Sequence, residues 1–153
     1  MAASTFTDAG SNNNTASNIL SLTYDITDPT VTLSTLVTSP NNITPVSVDI
    51  EFSEDVSGFD VSDLTLVNAT ADNFTPIDAR NYTVDLIPSG EGSFSASIGA
   101  ATAQDAATNP NDASNTLALL FDISGPDLII GAPSASLTRD GPVTFDVTYS
   151  NFA

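Results

Sequence analysis

Shifted along itself by 97 residues, the chain meets its own sequence again without a gap. Asp8-Ala9-Gly10-Ser11-Asn12 lies over Asp105-Ala106-Ala107-Thr108-Asn109, and Ala16-Ser17-Asn18 over Ala113-Ser114-Asn115. Tyr24-Asp25-Ile26-Thr27-Asp28-Pro29 lies over Phe121-Asp122-Ile123-Ser124-Gly125-Pro126, and Pro45-Val46-Ser47-Val48-Asp49 over Pro142-Val143-Thr144-Phe145-Asp146. From Asp8 to Val56, 17 of 49 positions are identical, 12 of them in the first 22. A period of this length is too long for a solenoid unit and suits tandem sandwich domains of about 100 residues. The register divides the chain into residues 1–27, the C-terminal part of one repeat; residues 28–124, a complete repeat; and residues 125–153, the N-terminal part of a third. Both ends are then expected to be cut inside a domain, and the chain to be a fragment of a longer array.

Within the complete repeat, Val46-Ser47-Val48-Asp49-Ile50-Glu51-Phe52 alternates apolar and polar residues strictly, the pattern of a strand with one buried face. Tyr82–Leu86 and Phe94–Ile98 alternate in the same way, and shorter runs at Val31–Leu33, Leu64–Val67 and Leu117–Phe121 bring the expected total to about seven strands. Turn-rich stretches such as Pro40-Asn41-Asn42 and Pro88-Ser89-Gly90 separate them. No window carries a convincing 3.6-residue period. The pattern predicts an all-β fold, a two-sheet antiparallel sandwich. Its inward positions should be Val46, Val48, Ile50, Phe52, Leu64, Leu66, Val84, Leu86, Phe94, Ala96, Ile98, Leu117, Leu119 and Phe121. Phe59 and Tyr82 also read as core by alternation, which leaves Phe74 as the one loop aromatic.

Composition removes many functions. Nineteen acidic residues stand against two basic ones, Arg80 and Arg139, giving a formal net charge of −17. Electrostatic capture of nucleic acid or of an anionic membrane needs Lys and Arg, so neither is a partner here. No His and no Cys means no imidazole base, no thiol nucleophile and no disulfide, and most zinc sites are lost as well. The chain has no Lys, so Schiff-base and P-loop chemistry are absent too. No apolar run is long enough to span a membrane, and the first residues lack the basic and apolar regions of a signal peptide. What remains is Asp, Glu, Asn, Ser and Thr, the hard oxygen ligands suited to calcium.

The complete repeat resembles the bacterial Ig-like domains found as repeats in large calcium-binding surface adhesins. The resemblance is carried by Phe52-Ser53-Glu54-Asp55-Val56-Ser57-Gly58-Phe59, by Asp63-Leu64-Thr65-Leu66-Val67-Asn68, and by Gly99 to Asn109 with the Asp-x-x-x-Pro linker. The usual family pattern has Pro where Asp55 stands and Gly where Thr108 stands. The likeness implies an Ig-like sandwich, and a non-catalytic role as a structural spacer in a secreted or cell-surface adhesin. Its partners would then be the neighbouring repeats, and its location extracellular.

In a seven-strand sandwich of this kind the incoming linker, the loop after the second strand and the loop after the sixth strand share one pole. That topology would gather Asp25, Asp28, Glu54, Asp55, Asp105, Asn109 and Asp112. Glu54, Asp55 and Asp105 are the expected core ligands of a calcium ion, with Asp25, Asp28 and Asn109 completing the shell. Asp and Asn are also the ordinary residues of turns, so a set of solvated turn residues is the competing reading. Two carboxylates such as Glu54 and Asp105 could in principle form a glycosidase pair. With no Trp platform and three Tyr, that signal is poor. The alternative function is a binding module whose loops recognise a carbohydrate or a host protein.

Overall fold

The computed structural model describes residues 1–136 and 139–150. Residues 28–124 form a sandwich of seven antiparallel strands in two sheets. Strands β1 (Val31–Ser34), β2 (Val46–Phe52), β5 (Asn81–Pro88) and β4 (Ala69–Pro76) make one sheet in the order β1-β2-β5-β4. The other sheet runs β3 (Leu64–Val67), β6 (Gly92–Ile98) and β7 (Leu117–Phe121), in that order. A short 3-10 turn, Val61–Asp63, leads into β3 and is closed at its start by Asp60, whose carboxylate accepts from the backbone of Ser62. Among the described residues there is no α-helix, and so none that could cross a membrane.

The alternation in the sequence becomes the inner faces of the two sheets. Along β2, Val46, Val48, Ile50 and Phe52 are buried while Ser47, Asp49 and Glu51 face water. Each such Val, Ile or Phe taken fully out of water contributes about 1.5–3 kcal/mol. Of the expected inward positions, Leu64, Leu66 and Leu117 are partly buried and pack against the core; all the others are buried in it. The register is set by β2 on β5, where Val48 faces Val84 and Val46 faces Leu86. At one end of the core Phe52, Phe59, Phe74 and Tyr82 meet largely edge to face, with ring centroids 5.0–6.0 Å apart.

Strand β4 is the strand that the alternation does not reveal. Its sequence, Ala-Thr-Ala-Asp-Asn-Phe-Thr-Pro, is weakly apolar because it lies at a sheet edge, and its pairing with β5 is interrupted between Asp72 and Thr75. Asn73 sits in that irregularity with φ 50°, and its side chain donates to Asp85 at 2.9 Å. Such irregularities bend an edge away from further pairing. They also break the period by which a strand is read.

Beyond the sandwich, β8 (Asp127–Pro133) and β9 (Phe145–Ser150) form an antiparallel hairpin. Its register matches that of β1 on β2 at the 97-residue offset: Leu128 faces Tyr149 as Val31 faces Phe52, and Ile130 faces Val147 as Leu33 faces Ile50. Residues 1–18 reproduce the hydrogen bonds of the loop at 98–115 in the same way. Asn14 Oδ1 accepts from the N–H groups of Thr5 and Phe6, as Asn111 Oδ1 accepts from Thr102 and Ala103. The Met1 amino group donates to Ser17 Oγ as the Ile98 N–H donates to Ser114 Oγ. Residues 20–24, whose counterparts 117–121 form β7, belong to no strand. Among the described residues no counterpart of β6 lies beside this segment to supply the hydrogen bonds of a strand.

Candidate metal centre

Three connections meet at one pole of the sandwich. The loop after β2 begins where β1 and β2 end their pairing, and the Ser53 N–H donates to Thr30 O at 2.9 Å. The loop after β6 is tied in by two antiparallel bridges, Ser57 to Gln104 and Gln104 to Pro110. The linker is fastened by the Asp112 N–H on Pro29 O at 2.8 Å and by the Asn109 amide on Asp25 O at 3.3 Å. Between them lies an open cleft of about 430 Å³, lined by Thr23, Asp25, Glu54, Asp55, Arg80, Asp105, Ala106 and Ala107.

Asp105 is the anchor of this pole. It is 5% exposed, and its two carboxylate oxygens accept from the backbone N–H and the side-chain amide of Asn109, each at 2.8 Å. Burial alone would push its carboxyl group up. Hydrogen bonds from the Asn109 side chain and from the backbone N–H groups of Asn109, Ala107 and Thr108 outweigh it and hold the group below its ordinary value. The turn that delivers those N–H groups needs Thr108 at φ 72°, a left-handed conformation where the family pattern has Gly. Asn111, 2% exposed, locks the same loop by bonding the backbone of Gly99, Thr102, Ala103 and Asp112.

Glu54, half-buried, responds in the opposite sense. Partial loss of water, then the negative charges of Asp105 and Asp25, raise its carboxyl group above the ordinary value; Arg80 offsets this in part. One carboxylate oxygen from each of Asp25, Glu54 and Asp105 lies within 4.8 Å of the other two. Two ligands on one calcium ion, each ~2.3–2.6 Å from it, stand at most about 5 Å apart. The three carboxylates therefore fit a single hard cation.

The other expected ligands fall differently. Asp55 lines the cleft, but its Oδ1 accepts from Arg80 Nε at 2.8 Å in an exposed ion pair, so it stands outside the group of three instead of at its core. Asp28 is exposed and is also outside that group. Asn109 acts through its amide nitrogen, donating to the Asp105 carboxylate and to the Asp25 backbone carbonyl, and so orients the Asp105 side chain and ties the linker to it. Arg80 is the residue at this site that sequence reasoning missed. The pairing of Glu51 with Asn81 places Arg80 beside the end of β2, where its carbonyl accepts from the Phe52 N–H. Phe74, expected in a loop, lies in β4 and stacks on Tyr82.

No curated protein and no solved structure matches the chain. The family model for the bacterial Ig-like domain matches residues 25–120, a span that holds the first six strands of the sandwich, all but the last residue of β7, and all three of the converging carboxylates. The chain belongs to the bacterial Ig-like domain family.

Proposed function

We propose that this chain is a non-catalytic spacer: one unit and parts of its two neighbours from a tandem array of Ig-like repeats in an extracellular adhesin, stiffened by calcium at each junction. The observation that carries the reading is the meeting of Asp25, from the linker, with Glu54 and Asp105, from two loops of the sandwich. A cation held there ties the linker to the domain that follows it, so the angle between successive units is restrained. Three carboxylates drawn together repel one another unless a divalent cation lies between them. The matching hydrogen bonds of residues 1–18 and 98–115, and of the two hairpins, support a repeat of 97 residues. Extracellular modules of this kind bind calcium at ~0.1–1 mM, a level met outside cells. The glycan-binding alternative has less behind it, because every aromatic residue of 28–124 is at least partly buried.

Thermal denaturation tests the calcium step. The melting temperature of the whole chain should rise in millimolar calcium and return on chelation. At ten times the dissociation constant, one site adds about 1.4 kcal/mol. Asp105→Asn should weaken that response, whereas Asp49→Asn, on the outer face of β2, should leave it intact. A melting temperature indifferent to calcium would reduce the site to turn residues and leave only the spacer.

A further inference from the structure

Residues 28–124 carry fourteen acidic side chains and a single basic one, Arg80. That one cation lines the cleft at the pole, together with Asp25, Glu54, Asp55 and Asp105. Its backbone is fixed there from two sides. The Asp78 carboxylate caps the turn between β4 and β5, accepting from the N–H groups of Arg80 and Asn81, each at 2.8 Å. The loop that carries Glu54 and Asp55 closes on this turn: the Phe52 N–H donates to the Arg80 carbonyl and the Val56 N–H to the Ala79 carbonyl, both at 2.9 Å. With a backbone bond on either side of Glu54 and Asp55, one hydrogen-bonded unit delivers the guanidinium and these carboxylates to the same cleft.

The ion pair that results does little for stability. Its side chains are 49% exposed on Arg80 and 75% on Asp55, and pairs so open to water add little. Its effect is on what the cleft can hold. Glu54 contributes an oxygen to the group of three with Asp25 and Asp105, while Asp55, its neighbour in the chain, gives an oxygen to Arg80 Nε at 2.8 Å. A divalent cation among the three carboxylates would meet a fixed positive charge on the cleft wall and find Asp55 already engaged. Like charges repel, and a ligand set with fewer carboxylates binds calcium more weakly.

Resting on the calcium-stiffened junction set out above, we propose that Arg80 sets the calcium affinity of that junction, by withholding Asp55 from the ion and opposing it with its own charge. Without metal, the guanidinium partly neutralises the pole and keeps Asp55 away from Glu54 and Asp105. With calcium present, it competes with the ion for the same carboxylates. A site opposed in this way fills only where calcium is abundant, so the junction stiffens outside cells and stays open at low calcium. Removing the opposing charge should tighten the site and, in the absence of metal, leave the pole less stable.

Calcium titrations of the whole chain at low ionic strength, read by calorimetry and by melting temperature, decide it. Arg80→Gln should bind calcium about tenfold more tightly than the parent, since it removes one opposing charge and releases one carboxylate. Arg80→Lys keeps the charge and can still pair with Asp55, so its affinity should stay close to the parent's. In an Asp55→Asn background, Arg80→Gln should gain clearly less, because no carboxylate is left to release. Without calcium the order reverses: Arg80→Gln should melt below the parent at low salt, and the gap should close at high salt as the carboxylates are screened. The turn is held by backbone bonds that the Arg80 side chain does not make, so both variants keep it. Equal affinities of the parent and Arg80→Gln would overturn the proposal, as would a gain of the same size with and without Asp55. Neither result touches the calcium reading, which is decided by the parent chain's own response to the ion. Indifference to calcium in the parent and in Arg80→Gln alike would overturn both.

Discussion

At the scale of single residues, the pole of the sandwich is a balance between two carboxylates with opposite tendencies. Asp105 is held below its ordinary value of 3.8, so its contribution to stability is complete above that value and is lost as pH falls through the folded-state value. Glu54 is raised above 4.5, so the folded chain binds its proton more tightly than the unfolded chain does. Stability therefore declines as pH climbs past that value, because the carboxylate is then ionised against Asp105 and Asp25. Glu54→Gln should remove the decline. Without calcium, the variant should melt above the parent protein at neutral pH, with the two curves converging as pH approaches 4. Its response to calcium should shrink. Parallel melting curves across the whole range would mean that Glu54 is not under electrostatic strain.

At the scale of elements, the loop after β6 is the most tightly specified piece of irregular structure. Asn111 alone satisfies donors and acceptors on four residues, which explains how a loop held by only two isolated bridges can be fixed. Its weak point is Thr108, a β-branched residue at φ 72°. A left-handed conformation costs such a residue about 1–2 kcal/mol, part of which glycine would return as unfolded-state entropy. Thr108→Gly should accordingly raise stability by about 1 kcal/mol in denaturant titrations, with the slope of the transition unchanged. A loss of stability would show that the Thr side chain has a packing role. Strand β4 shows the opposite strategy. Asp72 directly faces Asp85, an unfavourable cross-strand pair, and Asn73 in the adjoining irregularity reaches over to bond Asp85. The edge is charged, bent and poorly suited to pairing with another sheet.

At the scale of the whole molecule, stability is concentrated in residues 28–124. Among the described residues, the core side chains are drawn from this span alone. Residues 1–18 close their backbone hydrogen bonds among themselves. Deleting residues 1–18 should therefore shift the unfolding free energy by less than about 0.5 kcal/mol. Amide exchange on the intact chain should show the same division, slowest in β2, β5 and β6 and fast over residues 19–26. A large loss on deletion would mean that the N-terminal loop docks on the sandwich.

What the sequence determined by itself was the part of this protein written locally. Strict alternation in Val46–Phe52, Tyr82–Leu86 and Phe94–Ile98 specifies strands and their buried faces, because the period of a strand is two whatever lies beside it. The self-match at 97 residues also anticipates the register of the β8–β9 hairpin, since its apolar positions copy those of β1 and β2. Strand β4 escaped that reading, its edge position and broken register leaving no period to follow. Six candidate ligands were legible as acidic or amide residues in three loops. Which of them converge was settled only by tertiary structure. The β2–β5 register set Arg80 beside Asp55 and drew that carboxylate aside, while Asn109 turned Asp105 and the Asp25 backbone toward each other. A side chain's neighbours across a pole depend on pairings many residues apart. Local pattern carries no information about them.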